Sequence, residues 1–422
     1  MIIRIRENRL AHNTGWMLLG QCGNFFTQAL YFVLLARLLA VREYGVFAAA
    51  FALVTIVTPY SALGSNMLFM RYVTADRSVA RTYWGNMMAV TTMSSLLITG
   101  LMLLIGPMLT HVRRPAVFVL LVIANCFFMQ IVTGASSVFA TFEKMKWSAA
   151  LGTLSNLLRL AAVGVMRIAL HHATVTQWCV GLLIATAVAA IVAFACVIRE
   201  IGRGKVDVGL IRKRLGEGVS FAFAGTTQSV YNDVDKTMLG HYGLVVQNGF
   251  YTLAYRVVDF ATAPIAALDS AVLPRYFRLS HNSFGSVVKL AIKSAGIALG
   301  TGLAISLCTL LAAPLVPHLV GHGFSGAVVA LHWLAWLPPI RAIHRLVGGV
   351  LTSTGNQKLR TISQFIVAAF NVALNVWWIP AYGWIGAAWS SVATDGLLAV
   401  LTVALVAWLY SSPQLESQYE PG

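Results

Sequence analysis

Polar residues in this sequence are too few to clothe a water-soluble fold, and the apolar runs between them are each long enough to cross a bilayer. Only 10% of its 422 residues are charged and 58% are hydrophobic, where a soluble domain carries roughly 25% charged residues. Lipid is therefore the solvent for most of the chain. That excludes a disordered protein, a secreted disulfide scaffold and a cytosolic enzyme. One helical crossing takes about 20 residues, so twelve would use roughly 240 and leave about 15 per connection. No connection is then long enough for a soluble domain of its own. The expected fold class is all-α integral membrane, with twelve transmembrane helices. The cysteines Cys22, Cys126, Cys179, Cys196 and Cys308 lie in apolar runs without a CxxC pair and read as small core residues.

Spans are expected near 14–39, 43–63, 84–109, 115–141, 147–170 and 174–198, and again near 216–240, 247–273, 286–313, 326–354, 362–379 and 384–410. The first is too long for a signal peptide and reads as a retained span. Pro107, Pro115, Pro314, Pro317 and Pro380 sit at or just beyond span ends. Pro264 and the Pro338–Pro339 pair fall inside spans, where kinks are expected. The net charge of +16 is first a topology signal. If the N-terminus is cytoplasmic, one side receives Arg4, Arg6, Arg9, Arg71, Arg77, Arg81, Lys144, Lys146, Arg199, Arg203, Lys205, Arg212, Lys213, Arg214, Arg275, Arg278, Lys289, Lys293, Lys358 and Arg360. The other receives Arg37, Arg42, Arg113, Arg114 and Lys236. This asymmetry, about twenty to five, predicts both termini inside. The longest polar connection, IREIGRGKVDVGLIRKRL, interleaves apolar and basic residues. It reads either as a short helix on the anionic inner leaflet or as a plain positive-inside anchor.

The two halves resemble each other. Leu63-Gly64 … Arg71-Tyr72 is echoed by Leu268-Asp269 … Arg275-Tyr276, and Tyr44-Gly45-Val46-Phe47 by Asn248-Gly249-Phe250-Tyr251. Lys146 precedes Arg159 by the spacing at which Lys358 precedes Asn371. The expected organisation is an N-terminal six-helix lobe (1–198), a basic cytoplasmic linker (199–215) and a C-terminal six-helix lobe (216–422) of the same sense. Such parallel repeats build transporters that open to alternate sides.

Those landmarks also carry a family resemblance. Ala36-Arg37-Leu38-Leu39 … Glu43-Tyr44-Gly45-Val46-Phe47 … Leu63-Gly64 … Arg71-Tyr72 resembles the opening of the polysaccharide transporter family of the multidrug/oligosaccharidyl-lipid/polysaccharide (MOP) superfamily. Asn232-Asp233-Val234-Asp235-Lys236 … Leu239-Gly240 … Ala254-Tyr255-Arg256 and Leu273-Pro274-Arg275 look like its second half. Thr354-Gly355-Asn356-Gln357-Lys358 … Asn371 … Asn375 … Ile379-Pro380 … Gly383 … Gly386-Ala387-Ala388 is similar to its last two spans. The resemblance covers nearly the whole chain. It implies a V of two six-helix lobes and a Wzx-type flippase in the bacterial cytoplasmic membrane. The implied substrate is undecaprenyl-diphosphate-linked oligosaccharide, carried from the inner to the outer leaflet for surface or exopolysaccharide synthesis. Implied partners are H+ or Na+, membrane lipids and the polysaccharide polymerase machinery, with no nucleic acid and no cofactor. The alternative is a cation-coupled multidrug exporter of the same superfamily. The lipid II flippases of the superfamily carry fourteen spans, for which this chain lacks room.

Charges inside the spans are costly, at about 2.5–3.5 kcal/mol each on insertion scales, so retained ones need a reason. At about 1.5 Å per residue, Arg159, Arg256, Asp259, Arg341, Asn371 and Asp395 fall near mid-membrane. Arg345 is nearer the inside, Asp269 near the inner end of span eight, and Asp233, Asp235 and Lys236 nearer the outside. Arginine forks match phosphate oxygens. Arg159, Arg256, Arg341, Arg345, Lys236 and Asn371 are therefore the expected substrate-binding residues. No GxxxxGK[ST] loop occurs, so an ion gradient is the expected energy source, with Asp259, Asp395 and Asp233 as ion-coupling candidates. Pairing is the competing explanation: Arg256 with Asp259, Asp233 with Lys236, and Asp395 with an arginine on another helix. Asn24, Gln28, Asn156, Gln228, Asn371 and Asn375 suit either a sugar-binding cavity or helix–helix hydrogen bonds. Trp377, Trp378, Trp384 and Trp389 read as an interfacial belt. His318 and His322 have helical metal-ligand spacing, but the prolines beside them argue against a metal site.

Overall fold

The computed structural model describes the backbone of residues 2–280 and 283–411, with side chains from Phe26 onward. Arg4, Arg6, Arg9, Cys22 and Asn24 thus have side chains outside the described residues. The described chain is helical, without strands. It divides into two compact units, Met1–Val245 and Val246–Gly422.

The first unit contains α1 (Ile2–Ala62), α2 (Ser65–Ala75), α3 (Ala80–Thr110), α4 (Pro115–Val122), α5 (Met129–Thr141), α6 (Met145–Leu170), α7 (Val175–Ile201) and α8 (Val208–His241). The second contains α9 (Val245–Ala261), α10 (Ala263–Ser280), α11 (Phe284–Ala312), α12 (Val316–Val320), α13 (Gly326–Leu334), α14 (Leu337–Ser353), α15 (Gln357–Tyr382) and α16 (Trp384–Ser411). Among the described residues nine segments are long and apolar enough to cross a membrane, or ten if the α9–α10 pair is one bent span. The expected twelve map onto these helices. One 50-residue segment, Phe26–Ala75, merges the first two spans, which break at Ala40 where φ is 53° and ψ is 173°. The expected seventh span is α8, long enough but laden with Arg212, Lys213, Arg214, Glu217, Asp233, Asp235 and Lys236.

The proline expectations hold. α9 and α10 meet at a 41° bend just before Pro264, whose missing N–H removes a helical hydrogen bond. Pro338 and Pro339 open α14, so the tenth span is two helices, α13 and α14. Large apolar side chains face outward, including Leu97 at 75% and Ile168 at 81% exposure. In water this would be an aggregation surface; in lipid it is the solvated face.

Local chemistry fixes how the first unit closes. Glu43, just past the Ala40 break, accepts from the Arg114 guanidinium at 2.8 Å and from the backbone N–H of Val175 at 2.7 Å. It thereby sits at the positive N-terminus of α7. The polar connection after α7 is pinned to α3: Lys205 N–H donates to the Arg81 carbonyl, Arg81 Nε to the Ile201 carbonyl, and Asp207 N–H to the Asn86 side chain. Asp207 then caps α8 by accepting from Leu210 N–H. The amphipathic stretch expected on the leaflet is therefore the first turns of α8, continuous with the seventh span.

α8 packs against α1 and α3 within the first unit. Gly64 has φ of 64°, and a Cβ there would lie 2.6 Å from the Phe221 Cβ. A Cβ on Gly218 would lie 2.3 Å from the Leu63 carbonyl oxygen. Only glycine permits this approach at either position. Glu217, beside it, receives Arg71 at 2.6 Å and the Tyr72 hydroxyl at 2.9 Å.

Candidate functional site

The second unit holds a charged network at the meeting of α9, α14 and α16. Arg341 is the fifth residue of α14, two past Pro339, and it is only 7% exposed. Its Nε donates to Asp395 at 2.9 Å. One terminal nitrogen donates to Asp259 at 2.9 Å and the other to the Tyr255 hydroxyl at 2.6 Å. The guanidinium carbon also lies 5.2 Å from the centre of the Tyr255 ring, within reach of a cation–π contact. Asp259 is shared, since Arg256 approaches its other oxygen at 3.7 Å. His344, one turn further along α14 on the same face as Arg341, places Nε2 3.8 Å from the other oxygen of Asp395.

This arrangement follows from burial. An uncompensated guanidinium in a low-dielectric interior is prohibitively costly, and removal of one partner of such a pair costs about 3–5 kcal/mol. Two carboxylates and a phenol satisfy Arg341, and the two carboxylates are balanced by Arg341 and Arg256. The group is neutral with respect to its arginines and aspartates. It also spans three helices, so a relative shift of any of them changes the bonds.

Asn371 lies beside this network in sequence logic but faces a different one. Its amide donates to Thr394 at 3.0 Å, the Asn375 amide donates to Asn371 at 2.9 Å, and Ser390 donates to Asn375 at 2.6 Å. This is a buried ladder between α15 and α16, the helix–helix alternative weighed above. Trp389 meets Trp333 and Trp378 at centroid distances of 5.6 and 6.2 Å, while Trp384 meets Phe250 at 5.4 Å and Trp377 is exposed.

Of the remaining expected residues, Lys236, Asp233 and Arg159 lie in the first unit. Lys236 is 2% exposed; its ammonium donates to the Asn232 carbonyl at 2.5 Å and lies 3.2 Å from Asp235 and 3.3 Å from Asp233. Arg159 is half-buried on α6, and its Nε is buried without a hydrogen-bond partner among the described residues. The network thus unites Arg256, Asp259, Arg341 and Asp395, while Lys236 and Asp233 form a separate cluster. Arg345 is half-buried on α14.

Sequence reasoning passed over Tyr255 and His344. Tyr255 and His344 carry no charge signal, yet both stand one helical turn from a flagged arginine or aspartate (Asp259 and Arg341, respectively). Among the described residues no group of three or more His, Cys, Asp or Glu side chains is arranged to hold a metal ion. His318 and His322 do stand together, ring centres 5.9 Å apart.

Known structures share this fold. An inward-facing multidrug resistance MATE family transporter of the MOP superfamily superposes with a TM-score of 0.75 at 13% identity, covering 92% of this chain and 96% of the other. The lipid II flippase MurJ in an inward closed conformation gives 0.74 at 13% identity, covering 92% and 87%. A MOP superfamily transporter from Pyrococcus furiosus gives 0.62 at 13% identity, covering 94% and 95%. At such identities the likeness establishes the fold alone, that of MOP transporters. No curated protein sequence matches the chain. A sequence-family model described as polysaccharide biosynthesis protein matches residues 10–280, more than half of the chain. With the motifs in order and a transporter fold around them, the chain belongs to the polysaccharide biosynthesis protein family.

Proposed function

We propose that this protein is a flippase. It carries undecaprenyl-diphosphate-linked oligosaccharide from the inner to the outer leaflet of the bacterial cytoplasmic membrane, by ion-coupled alternating access. Its termini face the cytoplasm, as the charge asymmetry requires. The observation that carries the reading is the Arg341 network. A buried arginine held by carboxylates from two other helices is a cation whose availability depends on an ion. Uptake of a proton, or of Na+, by Asp395 or Asp259 weakens the charge-assisted bonds to Arg341. The guanidinium fork is then available to phosphate oxygens. Phosphate leaving on the far side lets the carboxylates reclaim it and release the ion.

In this scheme Asp259 and Asp395 couple, with Asp233 in a supporting position beside Lys236. Arg256, Arg341 and Arg345 of the second unit are the cations offered to the diphosphate, and Arg159 and Lys236, each within the first unit, are the other candidates. Asn371 holds α15 to α16 and takes sugar hydroxyls when that ladder opens. Tyr255 positions Arg341. The family and the fold support a transporter for polysaccharide assembly, and the excess of arginine favours an anionic cargo over a cationic drug.

The test uses proteoliposomes loaded with an undecaprenyl-diphosphate oligosaccharide. Leaflet exchange is followed for the wild type and for a variant with Arg159, Arg256 and Arg341 all changed to Ala, both checked for folding. Exchange by the wild type and its loss in the variant is the expected result. Exchange that survives removes those arginines from the mechanism. No exchange by the wild type under an imposed H+ or Na+ gradient, together with export of a cationic dye, would move the protein to the multidrug reading.

A further inference from the structure

We propose that the cleft between α2, α3 and the first turns of α8 seats one anionic phospholipid, with its phosphate on Arg214 and one acyl chain between the helices. The site lies wholly within the first unit. It requires only that the chain stands in a membrane and does not depend on the flippase reading.

Helical spacing builds the cleft. Tyr83, Met87 and Val90 follow one another on one face of α3, and Leu210, Ile211, Arg214 and Leu215 share one face of α8. With Leu68 of α2 they line a space of about 400 Å³, its open mouth included, which is enough for a small ligand. The connection pinned to α3 sets where the α8 face begins, because Asn86, also in the lining, accepts from the Asp207 N–H at 2.7 Å. Leu215 is 44% exposed, so the space opens to the surroundings of the helices, which for this chain are lipid.

Arg214 is the charge in an otherwise largely apolar lining. Its guanidinium carbon lies 4.1 Å from the centre of the Tyr72 ring, and Tyr72 stacks on Tyr83 at 5.3 Å. The stack holds the side chain in place without supplying an anion. Glu217 is engaged by Arg71 at 2.6 Å and by the Tyr72 hydroxyl at 2.9 Å. It stands 3.8 Å from Arg214, too far for a hydrogen bond. The Arg214 Nε is buried without a hydrogen-bond partner among the described residues, while the side chain as a whole is 30% exposed. A buried donor left unmade is costly, and an arginine fork in this state is suited to a phosphate oxygen. Between Arg203 and Glu217 the sequence sets five cations against two carboxylates, so this end of the unit draws anionic lipid. A slot lined by apolar side chains and one arginine matches a molecule with one phosphate and an alkyl chain. Free phosphate would leave the slot empty, and a zwitterionic lipid brings its own cation to compete with Arg214.

The experiment uses the full chain, stripped of lipid in detergent, and native mass spectrometry with phosphatidylglycerol and phosphatidylcholine of identical acyl chains. The wild type should bind one phosphatidylglycerol about tenfold or more tighter than phosphatidylcholine, and Arg214→Gln should remove that preference, since a charge-assisted contact is of that order. Arg212→Gln removes an exposed cation outside the cleft and should leave the preference nearly unchanged. Both substitutions remove the same charge, so equal losses would mean diffuse attraction to the basic end and would overturn the site, as would a wild type without preference. Val90→Trp fills the slot and keeps every charge. It should weaken both lipids, and unaltered binding in a folded Val90→Trp protein would overturn the acyl seat. The arginine pair, with melting temperatures as the folding check, carries the test if that variant does not fold. Glycerol phosphate, the headgroup without chains, should not displace the lipid at equal concentration. If it does, the site holds a free anion and the phospholipid assignment falls. Undecaprenyl phosphate that binds tighter than phosphatidylglycerol and responds to the same substitutions would also overturn the assignment, by giving the cleft to an isoprenoid lipid.

Discussion

Each unit buries a cation, and the two are satisfied in different ways. Lys236 in the first unit has three oxygens of its own helix within 3.3 Å, from Asn232, Asp233 and Asp235. Arg341 in the second draws Tyr255 and Asp259 from α9 and Asp395 from α16. A cation tied along its own helix keeps those ties when the helix moves as a body. A cation tied across helices must stretch or exchange its partners when they part. These ties of Lys236 travel with its helix, whereas those of Arg341 register how three helices are arranged.

The largest expected effect is that of Arg341→Ala, which leaves Asp395 and Asp259 without their shared cation. It should lower unfolding free energy by about 3–5 kcal/mol, read from denaturation in nanodiscs. A loss below about 1 kcal/mol would mean that the network is solvated and not a structural tie. Double-mutant cycles test the comparison itself. Coupling between Arg341 and Asp395 should reach about 2 kcal/mol, while Lys236 with Asp233, one of three oxygens that its own helix offers the ammonium, should give less. Equal couplings would erase the distinction. Among the single substitutions the smaller effect is that of Asn371→Ala, which removes an uncharged tie between α15 and α16 and should cost about 1 kcal/mol. If it abolishes leaflet exchange while leaving stability near that value, Asn371 belongs to the substrate path as well as to the helix ladder.

Much of the architecture was legible before any coordinates. The twelve expected spans, the bend at Pro264 and the break at Pro338–Pro339 all follow from local rules: bilayer thickness fixes run length, and proline removes a donor wherever it stands. The breaks at Ala40 and at Leu63–Gly64 fall where the spans were expected to end. The site was legible in part. Arg256, Asp259, Arg341 and Asp395 stood out because a charge in an apolar run is conspicuous. Tyr255 and His344 did not, because a tyrosine or histidine in an apolar run is ordinary.

The sequence by itself determined that this is a polytopic helical membrane protein, where its helices start and bend, and which residues pay the cost of charge in lipid. These depend on composition and on spacing within a single helix. The tertiary structure alone decided partnership. Asp395 is tied to an arginine 54 positions away, Asn371 faces Thr394 across a helix pair, and α8 lies against α1 because Gly218 and Gly64 let two backbones touch. Charges pair across space, and helix packing sets which faces meet. Neither is written in the periodicity of any one segment.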